Sequence, residues 1–168
     1  MDLSAIIIGF VSLALFVAPI LYIQRKQKAK TAKLLSDFLR LAEARQLKIT
    51  AHELWSECYG IGLDEGQQKL FYVSTREGNE QQVQINLTDV KKCAVVSAGR
   101  DVSDGKVIDQ VELRLTPRNG KELHLEFYNK EENLHMSGEL QIAQKWSDLV
   151  NAAVAAVPVA TRPPVATA

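Results

Sequence analysis

The longest apolar stretch of the chain comes first. From Leu3 to Ile23 (LSAIIIGFVSLALFVAPILYI) there is no Asp, Glu, Lys, Arg or His across 21 residues. A helix of that length extends roughly 31 Å, the thickness of a bilayer's hydrocarbon core. A cleaved signal peptide calls for basic residues ahead of a shorter apolar core. Here only Met1 and Asp2 precede the run, so the pattern predicts a retained transmembrane helix over 3–23. Beyond it, Leu34, Leu35, Phe38, Leu39, Leu41 and Ala42 recur at spacings of three and four, a helical apolar stripe. Neither Pro nor Gly occurs between Arg25 and Tyr59. A juxtamembrane helical stalk is expected over 24–48, helical to about Gln46. Its stripe is expected to pack on the domain that follows, a dimer seam being the alternative.

From residue 49 to 157 the period shortens to that of strands. Leu54–Leu63 reads as a strand weakened at Gly60 and Gly62, and Lys69–Ser74 as a second after the turn Asp64-Glu65-Gly66. Val83, Ile85 and Leu87 alternate with polar residues after a turn at Glu77-Gly78-Asn79, and Val90–Ser97 is a fourth strand. A loop is expected over 99–106. Val111, Leu113 and Leu115 form the clearest alternation, Pro117-Arg118-Asn119-Gly120 reads as a hairpin turn, and Leu123, Leu125 and Phe127 continue it. Six short antiparallel strands at this spacing argue for a barrel or sandwich. The period then lengthens: Leu140, Ala143, Trp146, Leu149, Val150, Ala153 and Val154 share one helical face, with Ser137 the expected N-cap. Residues 158–168, with three prolines and no core-forming period, read as a disordered Pro/Ala tail.

Composition changes the picture only when it is divided. The 168 residues carry 20 Lys+Arg and 20 Asp+Glu. Residues 24–48 hold eight basic and two acidic groups, whereas 49–157 hold eleven basic and seventeen acidic. Arg25, Lys26, Lys28, Lys30 and Lys33 directly follow the apolar run. The positive-inside rule therefore places the N-terminus outside and everything after Ile23 in the cytoplasm, at the cell membrane (the inner membrane of a Gram-negative cell). Cys58 and Cys93 are then expected as reduced thiols. The five basic residues are the candidate membrane- or lipid-proximal group. The acidic domain argues against nucleic acid and against an inositol-lipid headgroup.

A strand meander closed by one C-terminal helix bearing a tryptophan resembles the pleckstrin-homology superfold. Ile61-Gly62-Leu63-Asp64, followed by Leu87, Asp89, Val90 and Cys93, is similar to a pattern in bacterial single-pass membrane-anchored proteins of uncharacterised function. The resemblance covers about residues 34–155 and implies an α+β domain: a PH-like antiparallel barrel or sandwich of six or seven strands closed by a C-terminal amphipathic helix. A shared superfold confers no function by itself.

Chemistry is sparse. His52, His124 and His135 match no metal-ligand spacing, and His124 should face solvent between Leu123 and Leu125. Cys58 and Cys93 form no C-x-x-C pair and read as small buried hydrophobes. Gly60-Ile61-Gly62 lacks the rest of a dinucleotide fingerprint and reads as backbone geometry. Trp55 and Trp146 read as core. No catalytic residue, cofactor, metal or small-molecule substrate is expected. The expectation is a membrane-anchored cytoplasmic adaptor that binds a protein partner or itself; anionic-lipid engagement by stalk and domain together is the alternative.

Overall fold

The apolar stripe after the basic run forms a helix because every fourth side chain has a surface to cover. In the computed structural model, which describes residues 28–76, 79–102, 105–133 and 135–156, helix α1 runs over 28–44. Phe38 and Ala42 on this face are buried, as is Leu47 just beyond it. The helix stops without glycine. Gln46 takes a left-handed φ of 59°, the Leu47 N–H bonds to the Ala42 carbonyl at 3.0 Å, and the Gln46 N–H to that of Glu43 at 2.8 Å. This paired closure satisfies carbonyls that the helix end would otherwise leave open.

Seven strands follow among the described residues. β1 (Ala51–Trp55), β2 (Tyr59–Asp64), β3 (Lys69–Arg76) and β4 (Asn79–Asn86) pair in chain order as one antiparallel sheet. β5 (Val90–Val102), β6 (Gly105–Pro117) and β7 (Leu123–Asn129) form a second. The corner between them is a single 3-10 turn, Leu87–Asp89, with Leu87 buried and the Asn86 side chain accepting the Thr88 N–H. α2 (Glu139–Ala156) then lies on the second sheet, against the start of β5 and beside the corner. Both sheets and α2 contribute to one core, in which Trp146, Tyr72, Phe127 and Leu113 are fully buried.

A satellite cluster lies on the other face of the first sheet: Phe38, Ala42 and Leu47 pack on Phe71 and Val73. Phe38 and Phe71 rings stand 5.5 Å apart, and the Arg45 guanidinium sits 5.5 Å over Phe71. The glycines of β2 permit this approach. A Cβ on Gly60 would come within 2.8 Å of the Phe38 ring, and one on Gly62 within 2.9 Å of Ile49. The G-x-G spacing is thus a seat for α1, in keeping with its reading as backbone geometry.

The structure corrects several expectations. The PH-like barrel or sandwich of six or seven strands gives way to a small α+β domain with two separate open sheets, of four and three strands. No closed barrel forms, because the turn at Leu87–Asp89 takes the chain out of the first sheet and β4 does not pair with β5. Among the described residues no helix is long and apolar enough to cross a membrane, which corrects the expected transmembrane helix, the single pass and the signal-anchor; the run at 3–23 lies outside the described residues, as does the expected tail at 158–168. The expected strand over Leu54–Leu63 is a hairpin, with Trp55 opposite Tyr59. The expected loop over 99–106 is largely strand, since β5 and β6 pair out to Val102 and Gly105. At the start of α2, Gly138 (φ 111°) occupies the N-cap expected of Ser137. Its carbonyl takes the Gln141 and Ile142 N–H groups, while the buried Glu139 carboxylate receives the Ser137 N–H.

Candidate functional site

Between α1 and the β1–β2 hairpin lies an open groove of about 260 Å³. Leu34, Phe38 and Leu41 line it from the helix, and Leu54, Trp55 and Val73 from the sheet. The groove exists because the hairpin turns tightly beside the helix. Ser56 and Glu57 both have left-handed φ, 50° and 58°, a conformation that glycine or asparagine ordinarily supplies. Non-glycine residues held there carry strain that the surroundings must overrule. The Ser56 hydroxyl donates to Glu139 at 2.9 Å, Cys58 Sγ donates to the Ser56 carbonyl at 2.8 Å, and Lys30 of α1 pairs with Glu57.

Two carboxylates stand at the lips. Asp37 meets Arg40 at 3.2 Å and Glu57 meets Lys30. Both pairs are solvent-exposed, a class worth at most about 1 kcal/mol, so an incoming cation competes with them easily. Below the lips, the Trp55 ring stacks on Tyr59 at 5.5 Å and on Phe127 at 4.5 Å. Its indole N–H donates to the Phe127 carbonyl at 2.9 Å. The wall is therefore rigid and aromatic. Cys58 lines the groove, half-buried.

Other candidates sit apart. Cys93 is buried on β5, and burial pushes its thiol up to about 12, against smaller opposing contributions from the Ser147 hydroxyl and a backbone N–H. Such a thiol stays protonated and is a poor nucleophile. His52 lies exposed on β1 and His135 exposed in the segment before α2, while His124 on β7 faces solvent and meets Glu112 at 2.9 Å; the three share no site. Among the described residues no group of three or more His, Cys, Asp or Glu is placed to hold a metal. A polar cleft beside β5, β6 and β7 holds Arg100 and Lys130, each 3.5 Å from Asp109, and with Glu131 also on its lining it balances its own charge. Of the five basic residues expected near lipid, Lys28, Lys30 and Lys33 lie exposed on α1, while Arg25 and Lys26 lie outside the described residues. Trp55 and Trp146 are buried, 7% and 1% exposed, as core residues should be.

The groove escaped the sequence because its walls come from an apolar helix stripe and a turn some twenty residues later that carries no turn residue but Ser56. Scans against family models, curated proteins and solved structures each found no match.

Proposed function

We propose that residues 28–156 form a non-catalytic protein-interaction module of the adaptor kind, acting at the cytoplasmic face of a membrane. The address rests on the basic run from Arg25 to Lys33 in the sequence, which suits the anionic surface of a cytoplasmic leaflet. One observation carries the function: a preformed groove with an aromatic and aliphatic floor and acidic lips. Apolar pockets ringed by polar groups are where single anchor side chains of a partner concentrate binding energy. The lips at Asp37 and Glu57, on a domain with an excess of acids, select a positively charged partner. Its occupant is a partner segment with one bulky apolar residue flanked by Lys or Arg.

Cys58 supplies the test, and Cys93, buried and protonated, serves as internal control. With the full chain in mild detergent, a short Lys-Lys-Leu-Trp-Lys-Lys peptide is expected to slow alkylation of Cys58. The matching Glu-Glu-Leu-Trp-Glu-Glu peptide is expected not to, and Asp37→Lys with Glu57→Lys should abolish the protection. Equal protection by both peptides, or by neither, refutes the reading.

The exposed lysines Lys28, Lys30 and Lys33 favour a second reading, engagement of anionic lipid by α1 together with the domain. It requires a preference for phosphatidylserine over phosphatidylcholine vesicles that weakens with salt and in a Lys28→Glu, Lys33→Glu chain. Binding indifferent to both removes it.

A further inference from the structure

Sheet edges invite pairing with other chains, and native proteins blunt them with short strands, lysines, bulges or a covering element. Three of the four edges here are blunted. β1 is five residues long, and its Glu53 carboxylate is held by Lys145 at 2.8 Å and the Trp146 indole at 2.9 Å, both from α2. β5 carries Lys91 and Lys92 and two register shifts. The Asn151 side chain closes both backbone groups of its Cys93, taking the N–H at 2.9 Å and donating to the carbonyl at 2.8 Å. β7 is broken opposite Val111 and Glu112, and its Phe127 carbonyl is occupied by Trp55.

β4 lacks the short length, lysines and bulges, and the contact it receives from just past the end of α1, Arg45 to the Gln82 side-chain oxygen at 2.8 Å, leaves its backbone groups uncovered. Its eight residues, NEQQVQIN, contain no Pro, Gly, Lys or Arg, and they pair with β3 without a register shift. Among the described residues no strand lies on its other side. The direction of its backbone follows from two bonds. The Thr75 N–H reaches back to the Cys58 carbonyl beside β2, so alternate residues Ser74 and Tyr72 turn their backbone toward β4. The Leu87 N–H bonds to the Gln68 carbonyl on the β3 side, which sets the same parity from the other strand. The Gln81, Val83 and Ile85 backbones are thereby committed to β3, and those of Glu80, Gln82 and Gln84 point away from the sheet.

We propose that this edge pairs antiparallel with the same edge of a second copy of the chain, about a two-fold axis at Val83. The partner is identified by self-complementarity. In that register Gln82 lies opposite Gln84 of the second copy, amide against amide, and Glu80 lies opposite Asn86, whose amide N–H can meet the carboxylate across the seam. The single charge of the strand, Glu80, stays about 20 Å from its symmetry mate at roughly 3.4 Å per residue, beyond the Debye length of about 8 Å at physiological salt. A basic foreign strand finds only one charge here, and a charged strand of either sign gains nothing from the glutamines. The contact is isologous and closes, as two-fold interfaces do, and it joins two four-stranded sheets into one of eight. It lies on a different edge from the groove and stands or falls separately.

The test reads backbone hydrogen exchange and sedimentation of the full chain in mild detergent. A dimer is expected, with the Gln82 and Gln84 backbone N–H groups protected although both point away from β3. Gln84→Pro deletes an N–H that points outward, so β3–β4 pairing survives, and proline is tolerated at such edge positions. This variant is expected to sediment as a monomer, to lose protection at Gln82, and to keep that at Val83 and Ile85. Gln84→Lys, which places a lysine from each copy near the axis, should also lose the dimer and tests the seam without a backbone change. A wild-type chain that is monomeric, with Gln82 and Gln84 exchanging freely, leaves the edge to a strand of another protein and overturns the proposal. So does a Gln84→Pro chain that remains dimeric.

Discussion

β2 and β3 of the first sheet are covered on both faces, whereas β6 and β7 of the second bury one face and give the other to water. All six residues of β2, YGIGLD, are buried. Along β6 and β7, buried Val111, Leu113, Leu115, Leu125 and Phe127 alternate with partly exposed Glu112, Arg114 and Thr116 and with exposed His124. Both sheets are antiparallel, and the difference comes from α1, which covers the outer face of the first with Phe38, Ala42 and Leu47. Near-continuous apolar text in an antiparallel strand therefore marks the presence of a second covering layer, whereas clean alternation marks its absence. The groove, the strained turn and the glycine seat all belong to the doubly covered sheet.

The largest test asks whether the two sheets share one fate. Trp146→Ala empties the side of the core facing α2 and frees Glu53 from the indole. It is expected to cost about 3–5 kcal/mol, with both sheets melting in a single urea transition. Separate transitions would show that the sheets are independent units.

The second isolates the extra layer. Phe38→Ala, in the smaller cluster on Gly60 and Gly62, is expected to cost about 3 kcal/mol, the low end for a buried phenylalanine. Hydrogen exchange should rise across α1 and the groove wall while β6 and β7 stay protected. Equal loosening of the second sheet would break the distinction between covered and uncovered faces.

These two sites also show what the sequence conveyed. The Leu34/Phe38/Leu41 stripe, the 139–156 helix and the outward His124 were legible, because 3.6- and 2-residue periods report directly which side meets a core. The hairpin at Ser56-Glu57 was not, since its left-handed turn has neither glycine nor asparagine and is held by Glu139, some eighty positions away. Nor was the openness of the sheets: alternation tells which face a strand buries, and it is silent on whether Leu87–Asp89 continues the pairing or breaks it. The groove was illegible for the same reason, being a property of two distant segments and of neither alone.

The third test concerns the strap that joins the extra layer to the sheet. Asp64, buried at the end of β2, accepts the Lys48 N–H at 2.7 Å and the Gln67 N–H at 2.9 Å. Burial alone would raise its carboxyl, but these backbone donors, that of Gly66 and the nearby Lys69 together hold it below its ordinary 3.8. As pH falls, the unfolded chain takes up this proton before the folded one. The stabilisation is therefore complete above the ordinary value and lost as pH drops through the folded one. Asp64→Ala leaves these three backbone donors unmatched and is expected to cost about 1–3 kcal/mol near neutral pH, with a flatter acid limb in the stability–pH curve. An unchanged acid limb would separate Asp64 from the acid response.

The smallest expected effect bears on the uncovered face. Glu112 and His124 meet at 2.9 Å across β6 and β7, with side chains 23% and 43% exposed. Water screens such a pair, and holding two side chains in one geometry costs entropy that offsets most of the attraction. Glu112→Gln keeps the size and the hydrogen-bonding oxygen while removing the charge, so thermal or urea unfolding should shift by less than about 1 kcal/mol. The value lies in the contrast with Phe38→Ala, since both residues stand on the outer face of a sheet. A shift comparable to that of Phe38→Ala would mean that the outer face of the second sheet is covered in solution, because only desolvation makes a polar contact of this geometry so costly to break. A shift near zero leaves the covering of the first sheet as what separates the two.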